Sequence, residues 1–304
     1  MKQLVAFVVL GVVLMGCSKT TEELYQQAIK NYDEKKYELT IAQLDSLIEK
    51  DDSYVNAYIV RANSKLNMKD FEGAIADYTK SLTLVDSANS KANILTSRGS
   101  AYFESGKFDQ AKEDFLSVTV QNPEYAEAYY LLALTEKELG NRSDVLNNLN
   151  MTVELDPAFA DGYFELGNYY AEVPDYETAQ ANYSMAINRD STNADYFLEQ
   201  GNVFYNQRLY KASLIAYDHA IRLSPNFVEA YINRANTKDE MKLSKEAMAD
   251  YDKAIELDPG YGSSYFNRGI ARQHLGDKKG ACEDFNKALA LGYENAITKV
   301  GDCQ

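Results

Sequence analysis

The amino-acid sequence predicts an all-α chain: a solenoid of about eight helix-turn-helix repeats, closed by a short C-terminal capping helix. Three observations predict it. Pro123, Pro157, Pro225 and Pro259 are separated by one, two and one multiples of a 34-residue spacing. Small residues and large apolar residues return at fixed places within that period. Tyrosine is abundant (24) and tryptophan absent, as expected when one packing role is filled many times over. A chain with 45% hydrophobic residues can fold, and a fixed period of about 20–50 residues marks stacked units rather than one compact core.

The prolines set the register. The repeats run 21–54, 55–88, 92–125, 126–159, 160–193, 194–227, 228–261 and 262–295, and only Asn89-Ser90-Lys91 interrupt the spacing. The eighth position holds Ala28, Ala62, Gly99, Ala133, Gly167, Gly201, Ala235 and Gly269. A helix needs such small residues where a second backbone crosses closely. The twenty-fourth position is always large: Leu44, Tyr78, Phe115, Leu149, Tyr183, Tyr217, Tyr251 and Phe285. The fourth is large as well, from Leu24 and Tyr58 to Tyr231 and Tyr265, and the twentieth is mostly small, as at Ala74, Ala111 and Ala247. Each repeat reads as two antiparallel helices joined by a turn such as Gly106-Lys107-Phe108 or Val173-Pro174-Asp175. The proline at the repeat boundary stops the second helix.

Small at eight and twenty, aromatic at twenty-four and proline at thirty-two resembles the tetratricopeptide repeat, over nearly all of residues 21–295. The tryptophan usual at the fourth position is Tyr, Phe or Leu here, which keeps the packing role. The resemblance implies a right-handed superhelical solenoid whose first helices line a concave groove that holds a peptide or protein segment. At the fifth position that groove would present Tyr130, Phe164, Leu198, Ile232 and Phe266, and at the ninth Asn63, Asn168, Asn202 and Asn236. An asparagine amide both donates and accepts, so these side chains either pair with an extended peptide backbone or tie neighbouring helices together. Family members that clamp a terminal carboxylate carry lysine at the fifth position; none stands there, so that activity is not carried over. Glu165 and Glu199, on the adjoining face, suit a neutral or basic ligand segment.

Arginine occupies the seventh position in four repeats (Arg61, Arg98, Arg234, Arg268), and the same four carry aspartate at the twenty-third (Asp77, Asp114, Asp250, Asp284). The other four have neither. The spacing places the two on facing helices of one hairpin, so a partly buried ion pair is expected in each. Removal of one partner would strand a charge, which accounts for joint presence and joint absence. The alternative is that the arginines line a ligand site.

Residues 296–304 follow the last repeat, and Ala296, Ile297 and Val300 can form one apolar stripe on a short capping helix. Cys282 and Cys303 lie almost symmetrically about Gly292-Tyr293, the expected turn. An antiparallel hairpin would bring them level, as a disulfide or as two unpaired thiols.

At the other end, residues 1–16 (MKQLVAFVVLGVVLMG) join the positive Lys2 to an apolar run. The run is short of the ~20 residues that span a bilayer and fits a secretory signal peptide. It ends in Leu14-Met15-Gly16-Cys17, which resembles a bacterial lipobox. That resemblance implies cleavage before Cys17, lipidation of Cys17, and a lipidated N-terminus and tether over 17–20. A plain signal peptide cut elsewhere is the alternative. Ser18 is compatible with passage to the outer membrane. The expected location is therefore the bacterial cell envelope, lipid-anchored, on the periplasmic face of the outer membrane or at the cell surface.

The formal charge of −15 argues against a nucleic-acid partner, which needs a basic stripe, and against adsorption to anionic lipid. The two histidines, His219 and His274, stand in different repeats with no second ligand at metal spacing, so no metal is expected. Gly260-Tyr261-Gly262 marks a turn at a repeat boundary; no phosphate-cradling glycine loop or nucleophile elbow is present. No cofactor, small-molecule substrate or catalysis is expected. The sequence reads as a membrane-anchored adaptor that binds other proteins or peptide segments. The alternative is a structural accessory subunit of an envelope assembly, secretion or biogenesis complex.

Overall fold

The computed structural model describes residues 19–303, and Cys17 with the leader lies outside them. Every element among the described residues is helical, and the chain divides into two compact halves, through Leu139 and from Gly140 onward. The N-terminal half contains α1 (Thr21–Asp33), α2 (Tyr37–Ile48), α3 (Val55–Asn67), α4 (Phe71–Leu84), α5 (Ala88–Glu104), α6 (Phe108–Gln121) and α7 (Ala126–Glu138). The C-terminal half contains α8 (Arg142–Leu155), α9 (Ala160–Glu172), α10 (Tyr176–Arg189), α11 (Ala194–Asn206), α12 (Tyr210–Leu223), α13 (Val228–Glu240), α14 (Ser244–Leu257), α15 (Gly262–His274) and α16 (Lys278–Ala290). A 3-10 turn (Glu294–Ala296) and α17 (Ile297–Gly301) complete it. The helices follow the expected register. The one difference lies at Asn89-Ser90-Lys91, which do not form a loop. They join the first turn of α5, which has 17 residues where α3 has 13. The three extra residues extend that helix toward its N-terminus and leave its remainder in register.

Local chemistry sets the ends. Thr20 and Glu23 form a reciprocal capping box at α1. Asp70, Asp175 and Asp277 each accept the N–H of the third residue of the following helix. After the second helices, Asp51, Asp156, Asp190 and Asp258 accept an N–H two residues on, which shapes the turn. In all eight hairpins the fifteenth residue adopts positive φ, Pro174 among them at 23°. Gly106, Gly140 and Gly276 do so at 76–80°, and Lys35, Lys69, Arg208 and Lys242 at 58–65°. A side chain there costs about 1 kcal/mol or more relative to glycine.

No hairpin buries its own apolar face. The core around α14 draws Ile232 and Ala235 from α13, Ala247, Tyr251 and Ala254 from α14, and Ala271 from α15. The core around α4 likewise joins Ala62, Tyr78, Ile94 and Ala101. The eighth-position glycines have a steric cause. A Cβ at Gly167 or Gly201 would sit 2.5 Å from the ring of Tyr183 or Tyr217, and one at Gly99 or Gly269 2.6 Å from Phe115 or Phe285.

The four arginines form ladders that reach further than one hairpin. Arg234 donates from Nε and Nη2 to Asp250 at 2.9 and 2.5 Å, and from Nη1 to Asp218 of the preceding repeat at 2.5 Å. Arg61 joins Asp77 and Asp45 in the same way, and Arg268 joins Asp284 and Asp252. Arg98 pairs with Asp114 and meets the Thr79 hydroxyl instead of a second carboxylate. A second cation four residues on, Lys65, Lys238 or Arg272, joins three of the same aspartates. Burial alone would push the Arg234 guanidinium toward its neutral form; the bonds to Asp250 and Asp218 outweigh it and raise its pKa. These guanidiniums are engaged on two sides by the protein itself.

At the C-terminus Cys282 and Cys303 are disulfide-bonded, with Cα atoms 5.7 Å apart, so α16 is tied to the residue beyond α17. The cap differs from the expected apolar stripe: Ala296 is fully buried, whereas Ile297 is 57% exposed. The 3-10 turn before α17 rotates the two residues onto different faces.

Candidate functional site

The first helices of successive repeats leave clefts between them, one described in each half. In the C-terminal half a cleft of about 380 Å³ is lined by Glu199, Asn202, Tyr205 and Asn206 of α11, Tyr217 of α12, and Asn233 and Asn236 of α13. In the N-terminal half a cleft of about 430 Å³ is lined by Tyr32 of α1, Asn63, Leu66 and Asn67 of α3, and Glu104 of α5. Both contain ninth-position asparagines. Their walls are the sixth, ninth, twelfth and thirteenth positions, and six, nine and thirteen follow one another at the three- and four-residue steps of one helix face.

The asparagines are held by the helix behind them. The Tyr183, Tyr217 and Tyr251 hydroxyls donate to Oδ1 of Asn168, Asn202 and Asn236 at 2.8, 2.7 and 2.7 Å, and Tyr78 donates to Asn63. Burial raises the pKa of all four phenols, so they remain protonated donors. Each amide thus has its oxygen turned to the core and its nitrogen turned away from that tyrosine. Asn202 Nδ2 donates to Glu199 Oε2 at 3.1 Å, and Asn233 adds a 3.0 Å bond to Asn202 Oδ1. The amide nitrogens of Asn168 and Asn236 have no hydrogen-bond partner among the described residues. Glu199 has no cationic partner among them either. Burial raises its pKa, the bond from Asn202 lowers it, and nearby Asp195 raises it again. Tyr205 is raised by burial and then by the charge of Glu240.

Two residues of the expected fifth-position lining are corrected. Leu198 and Ile232 are buried in the interior. Phe164 lies 4.9 Å from the ring of Tyr196, and Phe266 5.1 Å from that of Tyr293. Tyr130 is half-buried on α7, and none of the five lines either cleft. Position five lies three residues before the small eighth residue, on the face that packs against the neighbouring helices. Tyr205, Asn206 and Asn233 were not anticipated. Their signal was the three- and four-residue spacing from Asn202 and Asn236. Asn168 lies outside the Asn202–Asn236 cleft. Among the described residues no group of acidic, histidine or cysteine side chains is arranged to hold a metal, and no helix is long and apolar enough to cross a membrane.

Comparison with known proteins finds the same repeat, and two of the matched segments, 55–84 and 228–261, begin where repeats two and seven begin. Tetratricopeptide-repeat families match residues 55–84 and 228–261, 99–140, 155–226 and 250–283. The chain is built of tetratricopeptide repeats. No curated protein matches it in sequence. Several solved structures share the fold. One is PilW, a widely conserved type IV pilus biogenesis factor (TM-score 0.62, 16% identity, 69% of this chain on 97% of that one). Another is YrrB, a tetratricopeptide-repeat protein with an unusual peptide-binding site (TM-score 0.51, 24% identity, 59% on 93%). The Cut9–Hcn1 assembly of APC/C is a third (TM-score 0.59, 14% identity, 93% on 57%). At these identities the likeness is one of fold.

Proposed function

We propose that this tetratricopeptide-repeat chain is a protein-binding adaptor, anchored in the bacterial cell envelope through lipid on Cys17, whose α11–α13 cleft holds an extended polypeptide segment. One observation carries the reading: the cleft combines oriented amide nitrogens with a half-buried carboxylate, Glu199, that no cation of the described chain neutralises. Asn236 would donate to a carbonyl of the segment, and Glu199 would take a lysine or arginine side chain. A neutral segment would leave the carboxylate unpaired and bind less tightly. YrrB, with its peptide-binding site, supports the class of ligand by analogy alone.

Cross-linked pulldown from native envelopes tests the binding site, comparing the parent with Glu199→Gln and Asn206→Ala. Loss of specific partners in these variants is expected. Retention of the same partners would shift the contact to another face and favour the accessory-subunit reading. The anchor is tested by labelling cells with radioactive palmitate, where Cys17→Ser should carry no label.

A further inference from the structure

The hairpin turns of the last three repeats form an edge whose chemistry departs from the rest of this acidic chain. Repeats six and seven share a cation-Leu-x-cation motif at the same register, Arg208-Leu209-Tyr210-Lys211 and Lys242-Leu243-Ser244-Lys245. Repeat eight presents His274-Leu275 and Lys278-Lys279. Arg208 and Lys242 hold the left-handed backbone conformation, at φ 61° and 65°, so the cation opens the turn and the leucine follows it. Leu209 is 49% and Leu275 41% exposed. Arg208, Lys211, Lys242, Lys245, Lys278 and Lys279 are all exposed and make no ion pair or side-chain hydrogen bond among the described residues. In the N-terminal half the turn lysines Lys36 and Lys107 are paired with Glu34 and Glu72, and Lys35 and Lys69, exposed like Arg208 and Lys242, lack the leucine and second cation that follow in repeats six and seven. The carboxylates on the same three turns are Asp239, which is buried, and the exposed Glu240, Glu246 and Asp277, so cations dominate the exposed edge.

The last two turns meet in a cleft of about 470 Å³ lined by Lys242, Leu243, Ser244, Lys245, Glu246, His274 and Leu275. Asp239 fixes its wall: it accepts the Ser244 hydroxyl on one oxygen and lies 2.8 Å from His274 Nδ1 with the other. The net charge of the whole chain averages over this edge and conceals it.

We propose that this edge docks on a membrane surface rich in anionic phospholipid. The cations meet headgroup phosphates, one phosphate lies in the cleft between Lys242 and Lys245, and the exposed Leu209 and Leu275 enter the headgroup–acyl boundary. Alternating cations and exposed leucines fit that boundary, which offers negative charge and apolar depth together. An acidic protein surface would complement the cations and leave the leucines in water. The contact is independent of Cys17 and of the α11–α13 cleft. It would set the orientation of the C-terminal half against a bilayer.

The test is hydrogen exchange on the full chain with phosphatidylcholine vesicles, with and without phosphatidylglycerol. The free N–H groups at the starts of α12, α14 and α16 report on the edge, separately from the N-terminal residues. Slowing of residues 205–213, 239–248 and 273–281 by about tenfold is expected on anionic vesicles only, and its loss as salt screens the charges. Lys242→Glu/Lys245→Glu/Lys278→Glu/Lys279→Glu should abolish the slowing. Leu209→Ser/Leu275→Ser, which changes no charge, should weaken it. Equal slowing on both vesicle types, or none on either, overturns the proposal. So does slowing by polyglutamate without slowing by vesicles, which would make the edge a protein-docking surface. Unchanged circular dichroism of the variants separates lost docking from lost fold.

Discussion

Two carboxylates share the Arg234 guanidinium, and they should differ sharply in their contribution to stability. Asp250 is 7% exposed in its side chain and accepts three charge-assisted bonds, two from Arg234 and one at 2.7 Å from Lys238. Asp218 is 51% exposed and accepts one. Replacement of Asp250 by alanine leaves two cations, 18% and 23% exposed, without their main counter-charge. Loss of one partner of a buried pair costs about 3–5 kcal/mol, and the partial exposure of both cations places Asp250→Ala near ~3 kcal/mol. Asp218→Ala should cost no more than about 1 kcal/mol. The triple variant Arg234→Met/Lys238→Met/Asp250→Ala removes the stranded charges and keeps their apolar stems, so it should lose less than Asp250→Ala alone. Urea unfolding followed at 222 nm ranks the variants. Stacked repeats can open in segments, so exchange of amides in α13 and α14 must accompany it. A triple variant no better than Asp250→Ala, or an Asp218→Ala as damaging, would refute the argument from stranded charge.

Four further outcomes are expected. Gly201→Ala places a Cβ 2.5 Å from the Tyr217 ring and should destabilise by about 1–3 kcal/mol in the same urea assay. Lys69→Gly, at φ 62°, removes side-chain strain in the turn and should stabilise by up to about 1 kcal/mol; a loss would show that Lys69 makes a contact that outweighs its backbone. Glu199 has a folded pKa above its ordinary value, so it binds protons more readily folded than unfolded, and its contribution becomes unfavourable as pH rises through that folded pKa. Glu199→Gln should therefore raise the melting temperature at pH 7, with the gain shrinking as pH falls through the folded pKa and gone below the ordinary carboxylate pKa of 4.5, while weakening capture of a basic peptide. Cys303→Ser opens the Cys282–Cys303 loop and should cost about 3 kcal/mol by chain entropy, with faster amide exchange confined to α16 and α17.

Much of this was legible in the chain alone. The 34-residue period gave the helices and their order, because each repeat fills the same space with the same sizes of side chain. Joint presence of Arg at seven and Asp at twenty-three gave the pairing, since a stranded buried charge is costly. The sequence did not reveal that Asp45, Asp218 and Asp252 of the preceding repeats complete three of the ladders. An exposed aspartate at position twenty-five looks like any solvated charge until stacking brings it to a guanidinium.

The candidate site divides in the same way. The ninth-position asparagines were visible as a repeated polar residue on an otherwise packed helix. Their orientation was not, because it depends on tyrosine hydroxyls fifteen residues away on the facing helix. Spacing alone could place Leu198 and Ile232 on either of two adjoining faces, and only the angle at which neighbouring helices pack turned them inward. By itself the sequence determined the repeat, its register and its internal charge pairing, which are local or within one hairpin. The tertiary structure decided which helix faces line a cleft, which amide atoms remain free, and where unpaired cations gather on one edge. Each of those depends on the stacking of one hairpin on the next.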